Sequence, residues 1–380
     1  MGFFRAGSAR SIAAASAAVG LLLSGCAVGP DFREPDAPVV SSYSAAAQPA
    51  ETAGAPATGG AVQRFVPGGE IPSRWWELFR SEALDRWIRE AFSNSPTLVA
   101  AEATLRRAQE ARRARSGDLL PRVDAVAGVS RQQISGASFG QADAQGNPFT
   151  LYNASVGVSY DLDLFGRTRR ELEALQAQVD YRRFQLEGAY ITLASNVVTT
   201  AIQEASLRGQ LKATREIVAI QEEYLALIEK QFELGGIAHA DVLAQRAALA
   251  QSRAALPPLE KRLVQTRHLL AVLAGRFPGD AADLPEFDLE GLRLPEELPV
   301  SLPSSLARQR PDIRSAEELL HAASASVGVA TADLYPRVTL SAGYGSEALR
   351  AGDLFGAGTA VWGIGAGLLQ PVFRGGTLEA

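Results

Sequence analysis

PTLVAAEATLRRAQEARRARSGDLLPRVDAVAGVS occupies residues 96–130, and PDIRSAEELLHAASASVGVATADLYPRVTLSAGYG occupies residues 311–345, aligned without a gap at an offset of 215. The two copies are identical at 12 of 35 positions, where average amino-acid usage gives about two or three. Each copy is a helical pattern that ends at a proline, Pro121 or Pro336, and continues as a short alternating strand. The repeat therefore predicts a duplicated structural module rather than a single catalytic domain.

The first 25 residues are typical of a bacterial secretion signal. Arg5 and Arg10 precede an apolar run over residues 11–23, which is shorter than the roughly 20 residues that a membrane-spanning helix needs. The run leads into Leu-Ser-Gly-Cys, which resembles a lipoprotein cleavage box. We predict that the signal 1–25 is removed and that Cys26 becomes the lipid attachment site. Ala27, rather than an aspartate, follows Cys26 and indicates export to the outer membrane. A helical anchor with an incidental cysteine is the alternative.

Charge and composition exclude several functional classes. Without its signal the chain has 35 basic and 42 acidic residues, a net charge of −7, which argues against a nucleic-acid-binding protein. Cys26 is the only cysteine in the sequence, so no disulfide within one chain and no cysteine-based metal cluster is possible. His239, His268 and His321 have no carboxylate or cysteine at ligand spacing. No nucleophile, base and orienting group converge in the sequence. We expect neither an enzyme nor a metal or cofactor site.

The remaining chain divides into three predicted parts. Residues 26–74 are rich in Ala, Pro, Gly and Ser and are predicted to form an extended tether. Residues 75–296 form the first repeat, with a helix, two strands and a long helical hairpin. Residues 297–380 form a second, incomplete repeat with a helix and two strands. Phe165 is followed by 110 residues up to Gly275, whereas its counterpart Phe373 is followed by only seven. We therefore expect a truncated product or a partial sequence that lacks a second hairpin.

Four segments alternate between apolar and polar residues, which is the pattern of β-strands with two different faces. They are residues 122–130, 153–163, 337–344 and 361–368. About nine residues is the length that a tilted membrane strand needs, and we predict membrane strands. Half-buried strands of a soluble sheet are the alternative. Asp161 and Asp163 lie on the face that would line a lumen. A polar strand end at the membrane interface is the alternative for this pair, and the pattern favours it.

A long helical hairpin is predicted between the second and third strands. Residues 167–232 contain no proline and only two glycines, and a helix of this length extends for roughly 100 Å. Gly235 and Gly236 interrupt it, and a second helical stretch over residues 239–274 is bent or split at Pro257 and Pro258. The predicted fold class is therefore mainly α with membrane β-strands.

The four predicted strands of one chain cannot form a closed structure in lipid. Backbone polar groups in hydrocarbon need partners, so a spanning sheet must close on itself. Two chains supply eight strands, whose side chains nearly fill the interior, whereas three chains supply twelve. An oligomer is expected, and a conduit favours three or more copies.

Several motifs together resemble one known family, the outer membrane factors or TolC-like exit ducts, and especially their lipoprotein branch (OprM- and NodT-like). The matching segments are residues 25–32 (GCAVGPDF), 75–79 (WWELF), 161–166 (DLDLFG), 241–243 (DVL), 267–273 (RHLLAVL) and 310–313 (RPDI). The resemblance implies a homotrimer with a twelve-stranded β-barrel in the outer membrane and an α-helical tunnel through the periplasm. It also implies docking to a periplasmic adaptor protein and an inner-membrane transporter.

The resemblance also suggests a site and a function. The hairpin tip, Leu234, Gly235, Gly236 and Ile237, corresponds to the family's adaptor contact. The alternative is that the glycines only turn the chain. The implied function is the exit duct of a tripartite efflux system for small molecules. An exit channel for protein secretion and a lipid-anchored coiled-coil scaffold without a pore are the alternatives.

Overall fold

The computed structural model describes residues 27–378, except 38, 41–42, 44–48, 57–58, 70, 136–146 and 302 and the side chains of 281–283. The signal 1–25 and Cys26 lie outside the described residues. The strands are β1 (Arg64–Pro67), β2 (Arg122–Gln132), β3 (Phe149–Leu162), β4 (Glu297–Val300), β5 (Arg337–Ala348) and β6 (Ala360–Leu369). The helices are α1 (Glu82–Asn94), α2 (Pro96–Ser116), α3 (Arg167–Glu233), α4 (His239–Ala254), α5 (Leu256–Leu273), α6 (Pro303–Gln309) and α7 (Pro311–Ala332).

The chain forms two compact units, and each contains parts of both sequence copies. The sheet unit comprises the described residues of Met1–Pro35, Arg106–Tyr181 and Ala316–Ala380. The helical unit comprises the described residues of Asp36–Leu105 and Arg182–Ser315. The predicted repeats, residues 75–296 and 297–380, do not coincide with these units, because they divide the chain by sequence similarity. They stay a prediction.

The sheet unit is built on four antiparallel strands in the order β2-β3-β5-β6. Strands are present at all four predicted segments, and each is longer than predicted. That they span a membrane stays a prediction. β3 begins at Phe149, which pairs with Gln132 of β2, and β5 continues to Ala348, which pairs with Tyr152 of β3. Pairing with a neighbouring strand extends each strand past the end of its alternating pattern. β2 and β6 are the edge strands.

The helical unit has a core in which small residues let helices pack closely. α3 contributes residues at spacings of three and four, namely Ala194, Val197, Val198, Ala201 and Ala205. α1 contributes Leu84, Trp87, Ile88 and Ala91, and α5 contributes Leu270 and Ala271. The predicted long helix is confirmed as α3. The break of the returning helix was predicted at Pro257 and Pro258 but lies at Ala255, because both prolines fit into the first turn of α5. Of the helices in the described part of the chain, none is both long and apolar enough to cross a bilayer.

Neither β1 nor β4, the strands of the helical unit, was predicted. β1 lies within the predicted tether and pairs in parallel with β4, with Arg64 opposite Glu297 and Pro67 opposite Val300. Arg64 and Glu297 also form an exposed ion pair of 2.9 Å. Part of the tether is therefore fixed to the start of the second repeat.

Candidate functional site

The register of the sheet unit brings the apolar positions of all four strands onto one face. Ala125, Val156, Tyr344 and Trp362 are successive partners across the sheet, and so are Val123, Val158, Ala342 and Ile364. The side chains of Trp362 and Ile364 are 75% and 81% exposed. A continuous apolar face left open to solvent indicates a surface made for lipid or for a partner.

The opposite face of the same sheet is lined by small and polar residues. One row across it consists of Asp124, Gly157, Gly343 and Gly363. The next row toward the helices consists of Arg122, Ser159, Ser341 and Gly365. In these two rows the faces are chemically distinct across the width of the sheet, whereas Val126 and Val361 are apolar positions on the polar face at its two edges. This separation is typical of membrane strands between lipid and a polar interior.

The two predicted lumen residues, Asp161 and Asp163, have different surroundings. Asp161 lies on the polar face of β3 and accepts a hydrogen bond of 2.5 Å from Thr339 Oγ1. Asp163 follows the strand and caps the start of α3, because its carboxylate accepts from the backbone N–H groups of Thr168 (2.9 Å) and Arg169 (3.1 Å). That either residue lines a lumen stays a prediction. The strand register places three further charged residues on the same face as Asp161, namely Arg122, Asp124 and Glu347. The sequence of β3 alone could not show this.

The junction of strands and helices is held by ion pairs that follow the repeat. Asp118 pairs with Arg122, and the equivalent Asp333 pairs with Arg337. Arg167, at the start of α3, donates to Asp333 at 2.7 Å. Burial alone would raise the pKa of the Asp333 carboxyl, but hydrogen bonds from Arg167 and Arg337 outweigh it and lower that pKa. The junction is thus a fixed charge network.

The hairpin tip is a helix C-terminus closed by glycine. The N–H groups of Gly235 and Gly236 donate to the carbonyls of Phe232 and Gln231, each at 2.8 Å, and Gly235 has φ +74°. This is the Schellman arrangement, which requires a left-handed residue at Gly235. Leu234 is 80% exposed. This geometry explains Gly235 as the residue that ends the helix and turns the chain. Contact between residues 234–237 and an adaptor protein stays a prediction.

Below the tip, exposed ion pairs join α3 to the returning helices at intervals of seven residues. Glu229 pairs with Arg246, Glu222 with Arg253, and Arg215 with Glu260, at 2.7, 2.7 and 2.9 Å. This spacing is typical of a coiled-coil seam. An apolar stripe on α3 stays exposed, and it consists of Ile217, Ile220, Tyr224 and Leu227.

One histidine has partners that the sequence analysis missed. His321 of α7 lies 3.1 Å from Glu173 and 3.4 Å from Glu318, and its ring stacks on Phe32 with centroids 4.3 Å apart. Glu318 precedes His321 by three residues on the same helix, so the expectation that His321 has no carboxylate at ligand spacing is wrong. Glu173 is 148 residues away in sequence, so spacing could not reveal it. In the described part of the chain, no cluster of three or more His, Cys, Asp or Glu side chains could hold a metal ion.

Comparison with known proteins gives a consistent result. The family model for outer membrane efflux proteins matches residues 87–276 and 302–380. The pyoverdine export outer membrane protein OpmQ of Pseudomonas aeruginosa is 36% identical over 314 residues, which are 81% of this chain and 65% of that protein. The toluene efflux pump outer membrane protein TtgC of Pseudomonas putida is 31% identical over 367 residues, 96% of this chain and 72% of that protein. The solved outer-membrane channel OprN superposes with a TM-score of 0.77 at 30% identity, covering 91% of this chain and 73% of that one.

Proposed function

The chain belongs to the outer membrane efflux protein family, and from this membership we propose that it is a subunit of an outer-membrane exit duct for small molecules. The resemblance drawn from the sequence motifs is thereby confirmed at the level of the family. One observation of this chain carries the proposal most strongly. The four strands share one register that separates an apolar face from a polar face, and a duct wall needs this separation between lipid and passage.

The duct is completed by further copies of the chain. Among the described residues, β2 and β6 each pair with one neighbour and leave an edge open, and an open edge in hydrocarbon leaves backbone groups without partners. Pairing β6 of one copy with β2 of the next removes both edges. Three copies give twelve strands, which leave room for a passage, whereas eight strands nearly fill their interior with side chains. We therefore infer a homotrimer.

The proposed cargo is small organic molecules. Relatives named for pyoverdine export and toluene efflux support this class, and the glycine- and serine-rich polar face offers a passage with few obstructing side chains. The hairpin tip, residues 234–237, would meet a periplasmic adaptor that connects to an inner-membrane transporter. A lipid group on Cys26 would anchor the trimer in the outer membrane. An exit channel for protein secretion is the alternative in the same class.

We expect purified chain in planar lipid bilayers to conduct ions, with a conductance that depends on the polar face. Gly363 lies on that face, about halfway along the edge strand β6, and a Cβ there would meet no atom within 4 Å. Gly363→Lys should shift ion selectivity toward anions because every copy adds a positive charge to the passage. Gly352→Lys is the matched control, since Gly352 also has open space but lies in the loop between β5 and β6.

Two results would contradict the exit duct. Inserted protein without any conductance would favour a lipid-anchored scaffold. Equal selectivity in the two lysine variants would show that the polar face does not line the passage. Expression in a bacterial strain that lacks its own duct separates the two transport alternatives. Restored tolerance to toxic compounds supports efflux, whereas restored release of a secreted protein alone supports secretion.

A further inference from the structure

The first described residues of the chain are held against the sheet unit although they form no helix or strand of their own. The N–H of Val28 donates to the carbonyl of Phe165 at 3.1 Å. Four residues later, Phe32 stacks on the ring of His321. We call Ala27–Phe32 the strap. Its contacts are with the start of α3 and with α7, so it follows a defined path.

Arg170 is the centre of these contacts. Its side chain is only 7% exposed, and it donates to the carbonyls of Val28 (3.2 Å) and Gly29 (3.4 Å). It also donates to the carboxylates of Asp31 (2.7 Å) and Glu173 (2.8 Å). Hydrogen bonds to Asp31 and then Glu173 raise the pKa of the guanidinium despite its burial. One planar side chain thus binds three residues of the strap and also Glu173, whereas a lysine has three donors on a single nitrogen and cannot reach all four acceptors.

Close backbone approach seats the strap against α7. Gly29 has φ +94°, and a Cβ built on it would lie 2.4 Å from Gly328 Cα. A Cβ on Gly328 would in turn lie 2.9 Å from Cγ and Cδ of Arg170. Two glycines and one arginine therefore fit together with no room for an added side chain. An alanine at Gly29 or Gly328 would therefore interfere with the binding of the strap.

The N-terminal residue of the strap, Ala27, lies close to the end of β3, at one end of the apolar face of the sheet. A Cβ built on Gly166 would lie 2.6 Å from Cβ of Ala27, and Gly166 follows four residues after Leu162, the last residue of β3. Because adjacent Cα atoms are about 3.8 Å apart, an acyl group on Cys26 is tethered one residue from this point. Seating of the strap would therefore limit how far an acyl group on Cys26 can lie from the base of the sheet.

We propose that Arg170 is a positioning residue for the lipid anchor, which seats the strap so that the acyl chains on Cys26 lie beside the base of the sheet. The proposal rests on the lipid anchor of the proposed function and adds the residue that places it. The hydrogen bonds of the Arg170 side chain described above go to the strap and to Glu173 on its own helix, and not to a strand. Loss of Arg170 should therefore release the strap and leave the sheet intact.

Hydrogen–deuterium exchange of the full, lipid-bearing chain in detergent tests the seat. In the wild type we expect the Val28 amide to be protected, and in Arg170→Ala we expect it to exchange at least tenfold faster, with β3 and β5 unchanged. Arg170→Lys should behave like Arg170→Ala. Gly29→Ala should also release the strap without altering Arg170. Gly68→Ala is its matched control, because Gly68 has φ +77° and nothing within 4 Å of an added Cβ. Unchanged exchange in both Arg170→Ala and Gly29→Ala would overturn the proposal.

A photoactivatable fatty acid incorporated at Cys26 tests the position of the anchor. In the wild type the cross-links should concentrate on the peptide around Leu162–Arg167, and in Arg170→Ala they should spread over other peptides. If both the wild type and Arg170→Ala are acylated and give the same cross-links, the role of Arg170 is overturned, while the lipid anchor itself is not. A wild-type chain that carries no acyl group, as measured by mass spectrometry, would overturn the lipid anchor of the proposed function and this proposal together.

Discussion

Glu204→Ala is expected to lower the free energy of unfolding of the helical unit by about 3–5 kcal/mol. Glu204 lies on α3, and its side chain is fully buried, with 0% exposed. It accepts hydrogen bonds from Arg208 Nε at 2.7 Å, from Arg267 Nη1 at 3.1 Å and from the backbone N–H of Phe287 at 3.0 Å. Removing the carboxylate leaves two partly buried cations and a buried N–H without this acceptor, which costs more than a surface ion pair contributes.

Glu222→Ala is the control for that prediction. Glu222 lies on the same helix and also pairs with an arginine, Arg253, but its side chain is 46% exposed, so its loss should cost less than about 1 kcal/mol. Denaturant unfolding followed by circular dichroism compares the two variants. Equal losses of stability would show that Glu204 does not join α3, α5 and the Phe287 segment as described.

Gly275→Ala is expected to destabilise the helical unit by about 2–5 kcal/mol. Gly275 closes α5 with φ +73°, and a Cβ there would lie 2.5 Å from the carbonyl oxygen of Asn94 and 2.8 Å from its Cβ. The contact is with backbone at the end of α1, so no side-chain rotation can relieve it. The variant combines left-handed strain with a steric clash.

The hairpin tip provides a matched control for Gly275. Gly235 closes α3 in the same way, with φ +74°, and an added Cβ there would meet nothing within 4 Å. Gly235→Ala should therefore show the strain alone, about 1–2 kcal/mol. Thermal unfolding of both variants separates the clash from the strain. A Gly275 variant no less stable than the Gly235 variant would contradict the close packing of α5 against α1.

The sequence predicted the elements better than it predicted their partners. Prolines at 121 and 336, alternation in the strands and the absence of proline over residues 167–232 are local signals, and the elements they predict are present. The pairing of β1 with β4 joins residues more than 230 positions apart, and no local pattern indicates it. The capping role of Asp163 was also missed, because the alternation of β3 continued through it.

The candidate site was also predicted only as far as local sequence patterns allow. Each strand's two faces could be predicted from its own residues, but only the register reveals that four apolar faces form one surface. Glu347 was missed because the predicted third strand ended at residue 344, whereas pairing with β3 extends β5 to Ala348. Glu204 did leave a signal, since it follows Ala201 by three residues on the buried seam of α3 and has Arg208 four residues later.

Disulfide cross-linking between edge strands tests most directly whether copies of this chain close into a duct. Cysteine pairs, with one residue on β2 and one on β6, are introduced at successive positions, and oxidation is followed by denaturing electrophoresis. Antiparallel partners lie about 4.5–5.5 Å apart, within the range of a disulfide. When the two cysteines lie at partner positions of β2 and β6, we predict disulfide-linked dimers and trimers and no larger product. Pairs that replace the β6 cysteine with one on the interior strand β3 should give no such species. Absence of intermolecular products at every position, or a series that stops at dimers or continues past trimers, would contradict the trimeric duct.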